Sequence, residues 1–232
     1  MKNKYHSVSK AVRCAFPATI PVLTGFFVLG IAYGILMNAK GYGPLWSLLF
    51  SAVAYCGSMQ FVAITFLTGV FSPVQALFMS LMVNARHLFY GLSMLDKYKG
   101  CGKAKNLLIY YLCDETFAIN STAEIPEGID KKDFYLAVSL LDMFYWVISS
   151  FVGGVLGNVF TFNTAGLDFA LTALFIVLFI EQIKTKKKAV CGMIGIVSAT
   201  VSLLVFGADN MVIPAMLIIF IMLLGGRKQL CD

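Results

Sequence analysis

Long apolar runs alternate with short polar stretches along the whole chain. Segments that could cross a bilayer are Ala15–Met37, Pro44–Leu67, Pro73–Leu95, Leu107–Thr122, Tyr135–Leu156, Phe169–Ile183, Ala189–Phe206 and Met211–Leu224. A spanning helix needs about 20 mostly apolar residues, and several of these runs are shorter or carry charge. None shows the period-two alternation of a membrane β-barrel. The pattern therefore predicts an all-α, polytopic helical transmembrane bundle in which some helices are broken or re-entrant. No polar stretch is long enough for a separate soluble domain. Residues 1–232 read as a single membrane domain, with a leader at 1–14, the bundle at 15–225 and a tail at 226–232.

Composition agrees. Of 232 residues, 59% are hydrophobic and 13% charged, and the mean hydropathy is +0.82. A soluble domain carries about 25% charged residues, so this chain has too few to coat a globule in water. The net charge of +6 does not point to nucleic acid, because the lysines sit in short clusters between apolar runs, as in cytoplasmic loops. The basic N-terminus followed by an apolar run resembles a signal peptide. That run is longer than an h-region of about 7–15 residues, so it is expected to remain as the first helix.

Six cysteines lie scattered without a C-x-x-C pair, and the two histidines, His6 and His87, are far apart. The sequence implies no metal and no cofactor, and the cysteines read as free thiols in apolar helices.

Loop charge gives orientation and exposes a conflict. The leader, the loop with Lys97, Lys99, Lys103 and Lys105, the loop with Lys184 and Lys186 to Lys188, and the tail with Arg227 and Lys228 should all be cytoplasmic. If both Pro44–Leu67 and Pro73–Leu95 crossed, the four-lysine loop would fall outside. The conflict disappears if one segment of that pair is re-entrant or broken and Leu107–Thr122 does not fully cross. Non-helical backbone at membrane depth survives where protein or water satisfies it, as at a transport site. Function is therefore sought between about Tyr55 and Phe117. Small residues at Gly30 and Gly34, and at Gly153 and Gly157, have the spacing that lets helix backbones approach closely.

Chemistry-bearing residues cluster in that same region. Asn84-Ala85-Arg86-His87 interrupts an apolar segment. A charge at the bilayer centre costs roughly 2.5–3.5 kcal/mol on insertion scales, so it faces a cavity or a partner. Arg86 could clasp a carboxylate with its planar fork; the alternatives are snorkelling or a structural ion pair. His87 is a candidate proton carrier or a hydrogen-bonded structural group. Tyr55-Cys56-Gly57-Ser58-Met59-Gln60 gathers small and polar groups. Gly57 and Ser58 permit a helix break whose half-helix ends could hold a zwitterion, with Tyr55, Ser58, Gln60 and Asn84 lining the pocket. Asp114 and Glu115 are adjacent acids, and Asp142 lies in the later segment. Each is a candidate for ion pairing or proton coupling.

An intramembrane hydrolase would need a nucleophile and base, such as Ser58 or Cys56 with His87. The G-x-S-G context of rhomboid-type proteases is absent, and so is a Walker motif. No enzymatic activity is expected.

In these blocks the sequence resembles the AzlC-type branched-chain amino acid permeases. The resemblance rests on Pro17, Pro21, Gly25, Gly30 and Gly34, on Tyr55 through Phe61, on Asn84 through Tyr90, on Asp114 through Ala118 and on Gly166 through Leu171. It implies the larger subunit of a two-component exporter of leucine, isoleucine and valine, with a small AzlD-type membrane partner. The expectation is alternating access driven by the proton gradient. Arg86 is then the substrate-carboxylate ligand or gate, and Asp114 its countercharge. The competing expectations are a membrane scaffold that stabilises its partner, or an exporter of another small zwitterion or organic anion.

Overall fold

A computed structural model describes residues 2–69, 73–160, 176, 179–180, 183, 186–207 and 211–226. Among these residues the regular structure is entirely helical. The chain divides into two compact units, Met1–Asp168 and Phe169–Asp232. The expected segment Phe169–Ile183 and the block Gly166 to Leu171 lie mostly or wholly outside the described residues. In the second unit, α8 (Lys186–Phe206) and α9 (Val212–Gly225) pack against each other.

The first unit is built on two long helices, α1 (Lys2–Ala39) and α7 (Lys131–Val159). Both contain apolar stretches long enough to cross a membrane. Asp130 caps α7 by accepting from the Lys132 backbone N–H at 2.8 Å, which places the helix start four residues before the apolar run. The two helices lie side by side and run parallel. Gly30 abuts Ser149, Gly34 abuts Ser150 and Gly154, and Gly157 abuts Asn38. A Cβ on Gly34 would stand 2.2 Å from the Ser150 carbonyl oxygen, and one on Gly153 would stand 2.2 Å from that of Ile31. The two small-residue pairs of the sequence are thus halves of one seam, and hydrogen at those positions sets how closely the backbones approach.

Pro44–Leu67 does not form one helix. It folds as α2 (Pro44–Ala54) and α3 (Gly57–Thr68), separated at Tyr55 and Cys56. Tyr55 adopts a left-handed conformation with φ 39° and ψ 49°, rare for a residue with a Cβ. The break therefore falls just before Gly57. That glycine is needed for proximity: the Trp146 ring lies 3.2 Å from where its Cβ would be. Helices of 11 and 12 residues reach only about 16–18 Å, about half the hydrocarbon thickness. The chain also returns to its starting side, since Tyr42 Oη donates to the Leu67 carbonyl at 2.9 Å. Gln60 Nε2 bonds Ser51 Oγ at 2.9 Å across the two arms. This segment is a re-entrant hairpin.

Helix α4 (Pro73–Met94) has 22 residues, about 33 Å at 1.5 Å per residue, and is long enough to span. Leu107–Thr122 likewise breaks into α5 (Ala104–Tyr110) and α6 (Asp114–Thr122). Its two ends sit together. Lys97 Nζ, in the loop before α5, donates to the Asn120 carbonyl at 3.3 Å and to that of Ser121. Asn120 Nδ2 donates to Tyr98 Oη at 3.1 Å. Burial pushes the Tyr98 phenol up to about 12, so it stays a neutral acceptor. Met94, Tyr98, Cys101 and Leu108 share a buried cluster with Phe134 at the start of α7 and Ala15 on α1.

These contacts fix relative sidedness. The four-lysine loop, the base of the second hairpin and the starts of α1 and α7 lie at one end. Tyr42 and Leu67 (2.9 Å) and Asn38 with Asn158 (2.6 Å) lie at the other. Helices α1, α4 and α7 run the full distance, while two hairpins enter from opposite ends and turn back. The lysine loop thereby falls on the side of the leader, and the conflict in loop charge is resolved by two re-entrant segments.

Candidate functional site

The hairpins meet tip to tip. Tyr110 Oη donates to the Val53 carbonyl at the end of α2. Rings of Tyr55 and Tyr111 pack edge to face at 5.6 Å, and Tyr55 Oη lies 3.6 Å from Cys113 Sγ. Each hairpin thus delivers a helix N-terminus, that of α3 at Gly57 and that of α6 at Asp114, to the middle of the bundle. Cysteines Cys56 and Cys113 occupy the two N-cap positions, and neither side chain caps its helix. First-turn N–H groups left without intrahelical partners carry partial positive charge and suit anionic groups. Asp114 and Glu115 stand in the first turn of α6, where that charge favours them.

Arg86, on α4, bridges the two hairpins. Its terminal nitrogen Nη2 donates to Ser58 Oγ of α3 at 3.0 Å and lies 3.0 Å from Asp114 Oδ2 of α6. The pair is neither dry nor free, with side chains 26% and 22% exposed. Two polar atoms of the pair, Arg86 Nε and Asp114 Oδ1, are buried and have no hydrogen-bond partner among the described residues. A guanidinium with an unused donor and a carboxylate with an unused oxygen, side by side, match the two ends of a zwitterion.

Other sequence candidates gather around this pair. Cys56 Sγ donates to Asn84 Oδ1 at 2.8 Å, tying α3 to α4 two residues before Arg86. His87 Nδ1 lies 3.3 Å from the Asn84 carbonyl, and its ring meets Tyr90, which stacks on Phe117 at 4.5 Å. Tyr55 forms the contact between hairpins. Glu115 follows Asp114 and is half-buried.

Gln60 stands apart. It is fully buried, its Nε2 bonds Ser51, and its Oε1 accepts from Trp146 Nε1 at 2.7 Å. Both ends of the amide are engaged inside the protein, fastening the first hairpin to α7. Asp142 on α7 is also fully buried and accepts from Thr116 Oγ1 at 2.9 Å. Trp146, Ser51, Thr116 and Cys113 were not singled out by the sequence reading as site residues. A signal for Cys113 existed: it precedes the Asp114 helix as Cys56 precedes the Gly57 helix. Among the described residues no group of side chains is arranged to hold a metal ion.

A family profile described as AzlC protein matches residues 21–160, more than half of the chain and the stretch that contains both hairpins. The chain belongs to the AzlC family. The branched-chain amino acid transport protein AzlC of Bacillus subtilis (strain 168) is 50% identical to this AzlC-family chain over 228 residues, covering 98% of this chain and 90% of that one. An uncharacterized membrane protein of Helicobacter pylori (strain ATCC 700392 / 26695) is 40% identical over 225 residues, covering 97% and 99%. The inner membrane protein YgaZ of Escherichia coli (strain K12) is 24% identical over 196 residues, covering 81% and 79%. No solved structure matches the chain. With these relatives and its apolar helices, this AzlC-family chain is a membrane protein.

Proposed function

We propose that the chain is the transporting subunit of an exporter for branched-chain amino acids, leucine, isoleucine and valine, in the cytoplasmic membrane. The observation that carries this reading is the Arg86 bridge, with one guanidinium holding Ser58 of one hairpin and Asp114 of the other. The substrate carboxylate binds Arg86 in competition with Asp114, and the substrate ammonium takes the carboxylate released. Substrate entry thus loosens the tie between the hairpins, which is what alternating access requires at a central site. The 50% identity to a protein named for branched-chain amino acid transport supports the substrate class. Apolar packing discriminates one methylene by only about 1–3 kcal/mol, so selectivity among these side chains is modest.

The lysine loop and the leader are assigned to the cytoplasm by their positive charge, and the tail by Arg227 and Lys228, so both termini are read as cytoplasmic. A small AzlD-type membrane subunit completes the transporter. Binding of labelled leucine by the purified chain, alone and with that subunit, tests the reading. Saturable binding that Arg86→Ala removes supports it. No binding in either form, with both chains folded, favours a scaffold or a carrier of another solute.

A further inference from the structure

Asp142 lies near the middle of α7 with none of its surface exposed. Its Oδ2 accepts from Thr116 Oγ1, and its Oδ1 is buried with no hydrogen-bond partner among the described residues. The titratable groups acting around it are Glu115 and Cys113 from the second hairpin and Tyr55 from the first. Helix α2 carries no charged residue, and the charged residues of α1 and α5 are not among the groups acting on Asp142. Among the described residues no cation pairs with it, and Arg86 is engaged by Ser58 and Asp114. A carboxylate in such surroundings has one hydrogen bond against a desolvation cost of several kcal/mol, whereas a neutral acid avoids most of that cost.

The position links this acid to the Arg86 site. Its one hydrogen-bond partner, Thr116, is two residues beyond Asp114 in the first turn of α6. A movement of α6 that parts Asp114 from Arg86 also carries Thr116 away from Asp142. Water could then reach the carboxyl, and the charged form would become accessible.

We propose that Asp142 is the proton-binding group of the transporter. Its Oδ1 takes one proton from water on one side of the membrane. It yields that proton to water on the other side when the first turn of α6 shifts. This rests on the transport reading above and adds the coupling ion to it.

The test compares Asp142→Asn and Asp142→Glu with wild type in proteoliposomes holding the chain and its small subunit. Leucine–leucine exchange at equal pH is measured beside net leucine efflux driven by a pH gradient. Infrared difference spectra of the same samples, taken between low and high pH, report the carboxylic-acid C=O stretch. Asp142→Asn is expected to keep exchange, lose all stimulation by the pH gradient and lose one protonated-carboxyl band. Asp142→Glu keeps both activities with a displaced pH dependence. Thr116→Ala, which leaves the acid in place, shifts the band. Undiminished pH stimulation in Asp142→Asn, an unchanged infrared spectrum, or efflux driven by sodium and not by protons would overturn the proposal. If wild type shows no leucine exchange, the transport reading has failed, and the infrared band alone decides whether Asp142 binds a proton.

Discussion

Arg86 and Asp114 stand 3.0 Å apart at the point where two re-entrant hairpins meet. Arg86 belongs to a helix long enough to span, whereas Asp114 opens the returning arm of a hairpin. Their pairing therefore ties a fixed element to one that ends inside the bundle. Because both side chains keep some exposure, the pair contributes less to stability than a dry one would. On the proposed transport reading its consequence lies in recognition.

Replacing Arg86 by alanine removes charge-assisted hydrogen bonds worth about 1.5–3 kcal/mol each, so leucine affinity should fall at least roughly tenfold. Arg86→Lys keeps the charge but not the fork and should fall between wild type and alanine. Binding isotherms on purified protein read both. Equal affinities in all three proteins would remove Arg86 from the site.

Hairpin topology predicts a labelling pattern. Single cysteines at Lys40 and Thr68, in a background cleared of reactive native cysteines, should be modified from the same face by an impermeant maleimide. Single cysteines at Lys99 and Glu127 should be modified only from the opposite face. A fully crossing Pro44–Leu67 segment would instead put Thr68 on the face opposite Lys40, and Lys99 on the same face as Lys40.

The glycine seam predicts a sharp contrast among glycines. Gly34→Ala drives a methyl into the Ser150 carbonyl, and overpacking of this kind costs about 1–3 kcal/mol. Gly25 has nothing within 4 Å of its added Cβ, so Gly25→Ala should be neutral or stabilising by about 0.5–1 kcal/mol through helix propensity. Thermal unfolding in detergent should show a lowered midpoint for the first variant only.

Gln60 tests the difference between a pocket and its support. Gln60→Ala leaves Trp146 Nε1–H and Ser51 without partners, a loss of about 1–3 kcal/mol for a buried group. Stability should drop while the leucine affinity of the folded fraction is retained. An affinity loss without a stability loss would put the Gln60 amide in the pocket.

Much of this arrangement was legible in the sequence. The break near Gly57 and the small-residue seam follow from residue type and spacing, and lysine placement pointed to the incomplete crossing of Leu107–Thr122. What stayed hidden was pairing across distance. That Tyr42 reaches Leu67, or that Lys97 closes the end of α6, depends on two turns whose direction no local pattern states. The break fell at Tyr55, a residue with no preference for left-handed backbone, while Gly57 is held against Trp146. The partner of Asp142 was also hidden, since Thr116 looks like any other helical threonine until α6 and α7 are packed.

Efflux of labelled leucine from preloaded cells tests the central claim most directly. The chain would be expressed with its small subunit, as wild type and as Arg86→Ala, at equal membrane abundance. The account predicts efflux well above that of cells lacking the pair, collapsing to their level in Arg86→Ala. Efflux no faster than in those cells, or efflux that Arg86→Ala leaves intact, would contradict it.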